Sequence, residues 1–186
     1  LAGGTLDIWP LHLFFGNAPT LNAAIDLYAT VEIIPRKDKR IVLRSQDLNL
    51  EDSFSSLNTL PDNHPLELIT RTLKFYAPKS GLEISTSCQA PQGSGIGGSS
   101  ALNIALHGAL NKFTGKKYSK QEMIEIARNI ETQVIRVPAG SQDYFPAMYG
   151  GVRSVNPGFL GIDTETLPIK PKELTRHMIL CYTGKP

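Results

Sequence analysis

The chain has 186 residues, 41% of them hydrophobic, enough to bury one sizeable core, so a single domain over 1–186 is expected. Its 19 basic and 17 acidic residues are scattered for a formal charge of +2, and Arg36–Arg40 is the one dense basic stretch; this supports neither a nucleic-acid nor a membrane-surface footprint. No apolar run reaches membrane-span length, and Cys88 and Cys181 lie too far apart for a disulfide framework or metal knuckle, so both read as reduced thiols of a cytoplasmic protein.

The chain opens at Leu1 within a Gly-Gly turn and without a methionine, so a start further upstream is expected. Residues 22–34 and 40–45 read as two strands joined across the charged turn Pro35-Arg36-Lys37-Asp38-Lys39 and paired antiparallel. The polar stretch 46–64 reads as a connection. Pro65 then suits the first turn of a helix running to about Tyr76, which Pro78 and Gly81 end. From Leu82 to Gln89 the alternation is strict, with Leu82, Ile84, Thr86 and Cys88 on one face, as in a half-buried strand.

Residues 91–101 (PQGSGIGGSSA) hold four glycines and three serines, and an apolar helix follows. Its residues Ala101, Leu102, Ile104, Ala105, Leu106, Ala109, Leu110 and Phe113 cover much of the helix surface, so deep burial is expected until Gly115. A second helix opens at Ser119, where Ser119 and Glu122 have capping-box spacing. Its face is Met123, Ile126, Ala127, Ile130 and Val134, and it ends before Pro138. Pro138-Ala139-Gly140-Ser141 introduces a short helical segment carrying Asp143. Gly150-Gly151 precede a strand at 152–155, and 177–182 reads as a further strand. No internal repeat or low-complexity tract is visible.

The glycine stretch has the composition of a phosphate loop. Glycines allow close backbone approach and unusual dihedrals, and the following helix offers unpaired N–H groups and the positive end of its dipole. With no lysine or arginine in the loop, the phosphate charge must be met by backbone N–H groups, a metal ion or a distant side chain. As Gly93-x-Gly95-x-x-Gly98 it fits the dinucleotide fingerprint, but Gly115–Ser119 leads into another helix where a strand ending in an acidic residue is required. As Gly93-x-x-x-x-Gly98 it fits a Walker loop, except that Ser99-Ser100 stand where Lys-Ser/Thr is essential. Both readings fail.

Pro91-x-x-x-Gly95-Ile96-Gly97-Gly98-Ser99-Ser100-Ala101 resembles the second motif of the GHMP kinases, the family of galactokinase, homoserine kinase, mevalonate kinase and phosphomevalonate kinase. Ile96 and Gly98 are modest departures from the family pattern Pro-x-x-x-Gly-Leu-Gly-Ser-Ser-Ala. Leu1-Ala2-Gly3-Gly4-Thr5-Leu6-Asp7 resembles the sugar-contacting turn of the sugar-kinase branch, which contains heptose-phosphate kinase, fucokinase and galactokinase. Asn22-Ala23-Ala24-Ile25-Asp26 resembles the strand after it, and Pro138–Asp143 the segment presenting the catalytic aspartate.

The resemblance implies an α+β fold like the second domain of ribosomal protein S5, a mixed or antiparallel sheet of four or five strands packed against helices. It implies ATP-dependent, Mg²⁺-assisted phosphoryl transfer to a hydroxyl of a sugar or sugar phosphate. Gly93, Ser94, Gly95, Ile96, Gly97, Gly98, Ser99 and Ser100 would hold ATP. Ser99 and Glu131 would bind Mg²⁺, Asp143 would accept or orient the hydroxyl proton, and Gly4, Thr5 and Asp7 would hold substrate hydroxyls. The alternatives are a mevalonate-type kinase and a non-catalytic sensor that binds sugar and ATP.

Blander roles stand beside these. Glu131 could be a solvated helix carboxylate, Asp143 a first-turn acid favoured by the dipole, and Asp7 a turn residue capping its own backbone. His107 on the buried helix reads as a core side chain, and Trp9, Phe14 and Phe15 as packing rather than a sugar platform. The family's basic residue upstream of the Gly-Gly turn and its third, C-terminal glycine-rich motif are not seen. The chain is therefore expected to be the N-terminal ATP-binding domain, trimmed at both ends. Its own C-terminal domain would be its partner, a homodimer stays open, and apolar surface should be exposed at the cut edge.

Overall fold

The computed structural model describes residues 6–16 and 18–179. In chain order these form a 3₁₀ turn (Leu11–Phe15), β1 (Thr20–Ala23), β2 (Ala29–Pro35), β3 (Ile41–Ser45), β4 (Leu50–Phe54), a second 3₁₀ turn (Leu57–Thr59) and α1 (Glu67–Tyr76). There follow β5 (Leu82–Cys88), α2 (Gly98–Thr114), α3 (Lys120–Ile135), α4 (Tyr144–Tyr149), β6 (Val152–Gly158), β7 (Gly161–Thr166) and α5 (Pro171–Thr175). No described helix is long and apolar enough to cross a membrane.

The strands make two sheets rather than one, a four-stranded sheet ordered β2-β5-β3-β4 and a three-stranded sheet ordered β1-β6-β7. The α+β reading and the mixed sheet hold: β3 and β5 run parallel, and every other pair is antiparallel. The expected β2–β3 hairpin does not form, because β5 lies between its two arms, pairing Ile33 with Ile84 on one side and Leu43 with Ile84 on the other. The 36–40 turn bridges the gap. Arg36 N–H donates to the Gly81 carbonyl and Gly81 N–H to the Asp38 carbonyl, both at 2.9 Å. A Cβ at Gly81 would lie 2.5 Å from two backbone oxygens, so the entry of β5 admits only glycine.

Other boundaries moved for similar long-range reasons. The 46–64 connection contains β4, which pairs with β3, and residues 24–28 separate two strands belonging to different sheets. Of the strand expected at 177–182, His177 lies in the turn after α5, Met178 and Ile179 form no strand, and 180–182 lie outside the described residues.

Two cores share α2. Ile41, Leu43, Leu82 and Ile84 of the four-stranded sheet pack against Ile69, Leu73 and Tyr76 of α1 and against Leu106 and Leu110 of α2. Ile104, two residues before Leu106 and so on the opposite flank of α2, joins Ile124, Ala127, Tyr144, Phe145 and Val155 in the second core. A helix buried on both flanks needs the all-round apolar surface that α2 carries. His107 is buried in α2, its Nδ1 3.1 Å from the Tyr76 hydroxyl, and burial pulls its pKa down to about 4. The capping box of α3 forms as spaced: Ser119 N–H donates to Glu122 at 2.7 Å, and Glu122 N–H donates to Ser119 Oγ at 3.2 Å. Its buried face is Met123, Ile124, Ala127 and Ile130, with Ile126 and Val134 half-buried.

Candidate active site

β5 delivers the chain into the glycine loop, and α2 takes it away. Gly93, Gly95 and Gly97 have φ of 72°, 69° and 77°, alternating left-handed turns that L side chains rarely adopt. Gly97 is the N-cap of α2, and the first intrahelical bond runs from Ala101 N–H to the Gly97 carbonyl at 2.9 Å. By helix geometry the N–H groups of Gly98, Ser99 and Ser100 therefore have no intrahelical acceptor. Gly98 is confined, since a Cβ there would lie 3.0 Å from Ala90 Cβ.

The loop forms one wall of a cleft of about 680 Å³, whose lining includes Gly93, Gly97, Ser99, His64 and Asp143. His64 also lines it, held by Leu66 N–H donating to its Nδ1 at 3.0 Å and by its Nε2 contact to Asp52 at 3.2 Å. Nothing in the sequence singled out that histidine.

Asp143 sits at the N-cap of α4 and meets the loop directly: a Cβ on Gly97 would lie 3.4 Å from both Cβ and Cγ of Asp143. Glu131, from the last turns of α3, is half-buried and not a solvated surface group. Burial pushes its carboxyl up, a hydrogen bond from Ser99 pulls it down, and the Asp143 charge pushes it up again. Asp143 is raised by burial first and then by the Asp7 charge. Tyr144 donates its hydroxyl to Glu131, and Asn103 Nδ2 donates to the Ala127 carbonyl at 3.0 Å and reaches the Tyr144 hydroxyl at 3.4 Å. Two desolvated carboxylates of like charge beside a serine hydroxyl are a donor set suited to a hard dication that keeps several waters. Among the described residues no group of three or more His, Cys, Asp or Glu is placed to hold a metal ion by itself.

Asp7 bonds far along the chain from its own turn. It is buried, and its Oδ2 accepts from the N–H of Ser141 and from the N–H of Gln142, the latter at 2.8 Å, while Oδ1 has no partner among the described residues. Gly4 and Thr5 lie outside the described residues. The packing expectation for the nearby aromatics is overturned: Trp9, Phe14 and Phe15 are 53%, 80% and 57% exposed, Trp9 touching His12 and Phe159 at 5.6 and 6.5 Å between ring centroids. This N-terminal stretch is a short 3₁₀ turn whose one buried residue is His12. Sequence reasoning missed Tyr144, Asn103 and His64. Their side chains meet the site only through tertiary contacts, so no local spacing signals them.

A strand, a glycine loop and a helix N-terminus thus meet a carboxylate that faces the loop. Residues 64–151 match the family model for the GHMP kinases N terminal domain, and the chain carries that domain. It is 30% identical over 156 residues to D-glycero-alpha-D-manno-heptose 7-phosphate kinase of Campylobacter jejuni, covering 81% of this chain and 46% of that protein. It is 26% identical over 153 residues to the galactokinase of Thermotoga maritima, covering 80% of this chain and 43% of that protein. The crystal structure of a D-glycero-D-manno-heptose 1-phosphate kinase from Bacteroides thetaiotaomicron superposes with a TM-score of 0.80 at 26% identity, over 91% of this chain and 57% of that one. The chain thus spans about half the length of the curated relatives it matches.

Proposed function

We propose that this chain is the nucleotide side of a kinase that transfers the γ-phosphoryl group of ATP to a hydroxyl of a sugar or sugar phosphate. The observation that carries the reading is the packing of Asp143 against Gly97. It puts a carboxylate of raised proton affinity at the mouth of a loop whose backbone is shaped for phosphate. The α2 N-terminus and residues 93–100 would hold the β- and γ-phosphates. Ser99 and Glu131 would hold Mg²⁺, whose charge offsets that of the phosphates where the loop has no cation.

The acceptor oxygen attacks the γ-phosphorus as the bond to the ADP oxygen breaks, and Asp143 takes or orients the proton the hydroxyl gives up. A carboxylate pushed up by burial is a better base than a solvated one. The sugar and sugar-phosphate relatives favour that acceptor class. A mevalonate kinase of Methanothermobacter thermautotrophicus, 30% identical over 141 residues, keeps mevalonate among the compounds to assay. A C-terminal domain of the same polypeptide would complete the acceptor pocket. The deciding experiment is ADP release by the full-length protein across sugars, sugar phosphates and mevalonate. Turnover with a sugar or sugar phosphate is expected; ATP binding without turnover on any acceptor would favour the sensor.

A further inference from the structure

Asp143 stands at the start of a helix only six residues long and has no side-chain capping bond of its own. So short a helix cannot fix the backbone that leads into it. That backbone is gripped instead by side chains from three other segments, the stretch before the first 3₁₀ turn, β1 and α3. Gln142 is held at both ends, its N–H by Asp7 Oδ2 at 2.8 Å and its carbonyl by Asn22 Nδ2 at 2.7 Å. Ser141 is held at its N–H by the same Asp7 oxygen and at its Oγ by the Arg128 guanidinium at 3.0 Å. A carbonyl can only accept, so the Asn22 amide can face Gln142 in one orientation.

We propose that Asp7, Asn22 and Arg128 are positioning residues that clamp Ser141 and Gln142 and so aim Asp143 at the phosphate loop. The clamp is mounted on rigid parts. Asn22 lies in β1, in register with Arg153 of β6, and Arg128 lies in the middle of α3. Gly140 completes it, because a Cβ there would fall 2.8 and 3.0 Å from the Asp7 carboxylate oxygens, so a side chain at 140 would push that carboxylate from its seat. With Oδ2 committed to two backbone amides, Asp7 serves the aspartate segment first, and its loss should misaim Asp143 before it weakens substrate binding.

The inference rests on the kinase reading for what Asp143 does, so its test has one arm that needs turnover and one that does not. In the full-length protein, Asp7→Ala and Gly140→Ala should each lower kcat about tenfold to a hundredfold while the KM values for ATP and acceptor stay within about twofold. Asp7→Asn, which keeps an acceptor oxygen for the two amides, should restore most of kcat. Without any substrate, amide hydrogen exchange at Ser141 and Gln142 should be slow in the native protein and in Asp7→Asn and fast in Asp7→Ala. Should Asp7→Ala fail to fold, Asn22→Ala carries the same expectation at Gln142. A raised acceptor KM with unchanged kcat in Asp7→Ala, together with a normal Gly140→Ala, would make Asp7 a substrate contact and overturn the proposal. Unchanged exchange in the Ala variants would overturn it as well. Absence of turnover in the native protein would sink the kinase reading alone, and the exchange arm would still decide whether the clamp exists.

Discussion

The two walls of the cleft are built by different means. The loop wall lies within residues 91–101 and is made of backbone: three left-handed glycines and the open first turn of α2. The acidic wall is made of side chains. In it Asp143, from the turn before α4, lines the cleft itself, while Glu131 of α3 reaches it through its bond with Ser99 and Asp7 is bonded to the backbone ahead of Asp143 across 134 and 135 residues of sequence. A backbone wall is sensitive mainly to what distorts its dihedrals, whereas a side-chain wall fails whenever a charge or a partner is removed. Damage to the first should appear in nucleotide binding, and damage to the second in chemistry and metal dependence.

Asp143→Asn is the sharpest way to break that division. It keeps the shape of the side chain and the contact with Gly97 but removes the base, so kcat should fall by about 10²–10⁴-fold with nucleotide affinity nearly unchanged. Normal turnover in the variant, measured by ADP release, would remove Asp143 from the chemistry. A parallel loss of nucleotide affinity would instead mean that the two walls cannot be separated.

Glu131→Gln should act through the metal. Losing one charged interaction of about 1.5–3 kcal/mol corresponds to about 10–100-fold weaker binding of Mg·ATP by titration calorimetry. Chelating the divalent cation should erase the difference between variant and native protein. If the difference survives EDTA, Glu131 supports the fold through Tyr144 and is not a metal ligand.

How much of this could be read from the sequence follows the same division. The loop, α2 and the capping box of α3 were legible because each is specified within a few residues: glycine spacing, all-round apolarity, Ser119 with Glu122. The insertion of β5 between β2 and β3 was not, since strand partners are chosen at long range and the one local sign, a glycine at 81 with no room for a Cβ, has no meaning until the 36–40 turn is seen around it. Asp7 was visible as a residue with two readings, a substrate contact or a cap on its own turn. That it caps the backbone at Ser141 and Gln142 could not follow from any spacing. Tyr144, beside Asp143 in sequence, reaches back to Glu131 only because α3 and α4 pack together.

Gly97→Ala probes the backbone wall. A non-glycine residue held at φ 77° costs about 1–2 kcal/mol, and the added Cβ meets Asp143 only at ordinary contact distance. Nucleotide affinity should therefore weaken about five- to thirtyfold, with kcat at saturating ATP much less affected. An equal collapse of kcat would show that loop and aspartate move as one unit.

The smallest effect is on stability, and it separates the walls by sign. Glu131 and Asp143 are both raised above their ordinary carboxylate values, mainly by burial. Between the unfolded and folded pKa the native state holds the extra proton, so the contribution of each group is full below the unfolded value and lost as pH rises through the folded one. His107, on the helix behind the loop, does the reverse. Its pKa is depressed from 6.5 to about 4, so the native state resists the proton and stability is lost as pH falls through that window. At neutral pH Asp143→Asn should therefore melt higher than the native protein, by about 2–4 °C for each kcal/mol relieved, with the gain vanishing at acid pH where Asp143 is protonated in both states. Replacing His107 with leucine should flatten the acid limb alone. If Asp143→Asn melted at the native temperature at neutral pH, its carboxylate would not be desolvated, and the raised proton affinity that suits it to take a hydroxyl proton would have no physical source.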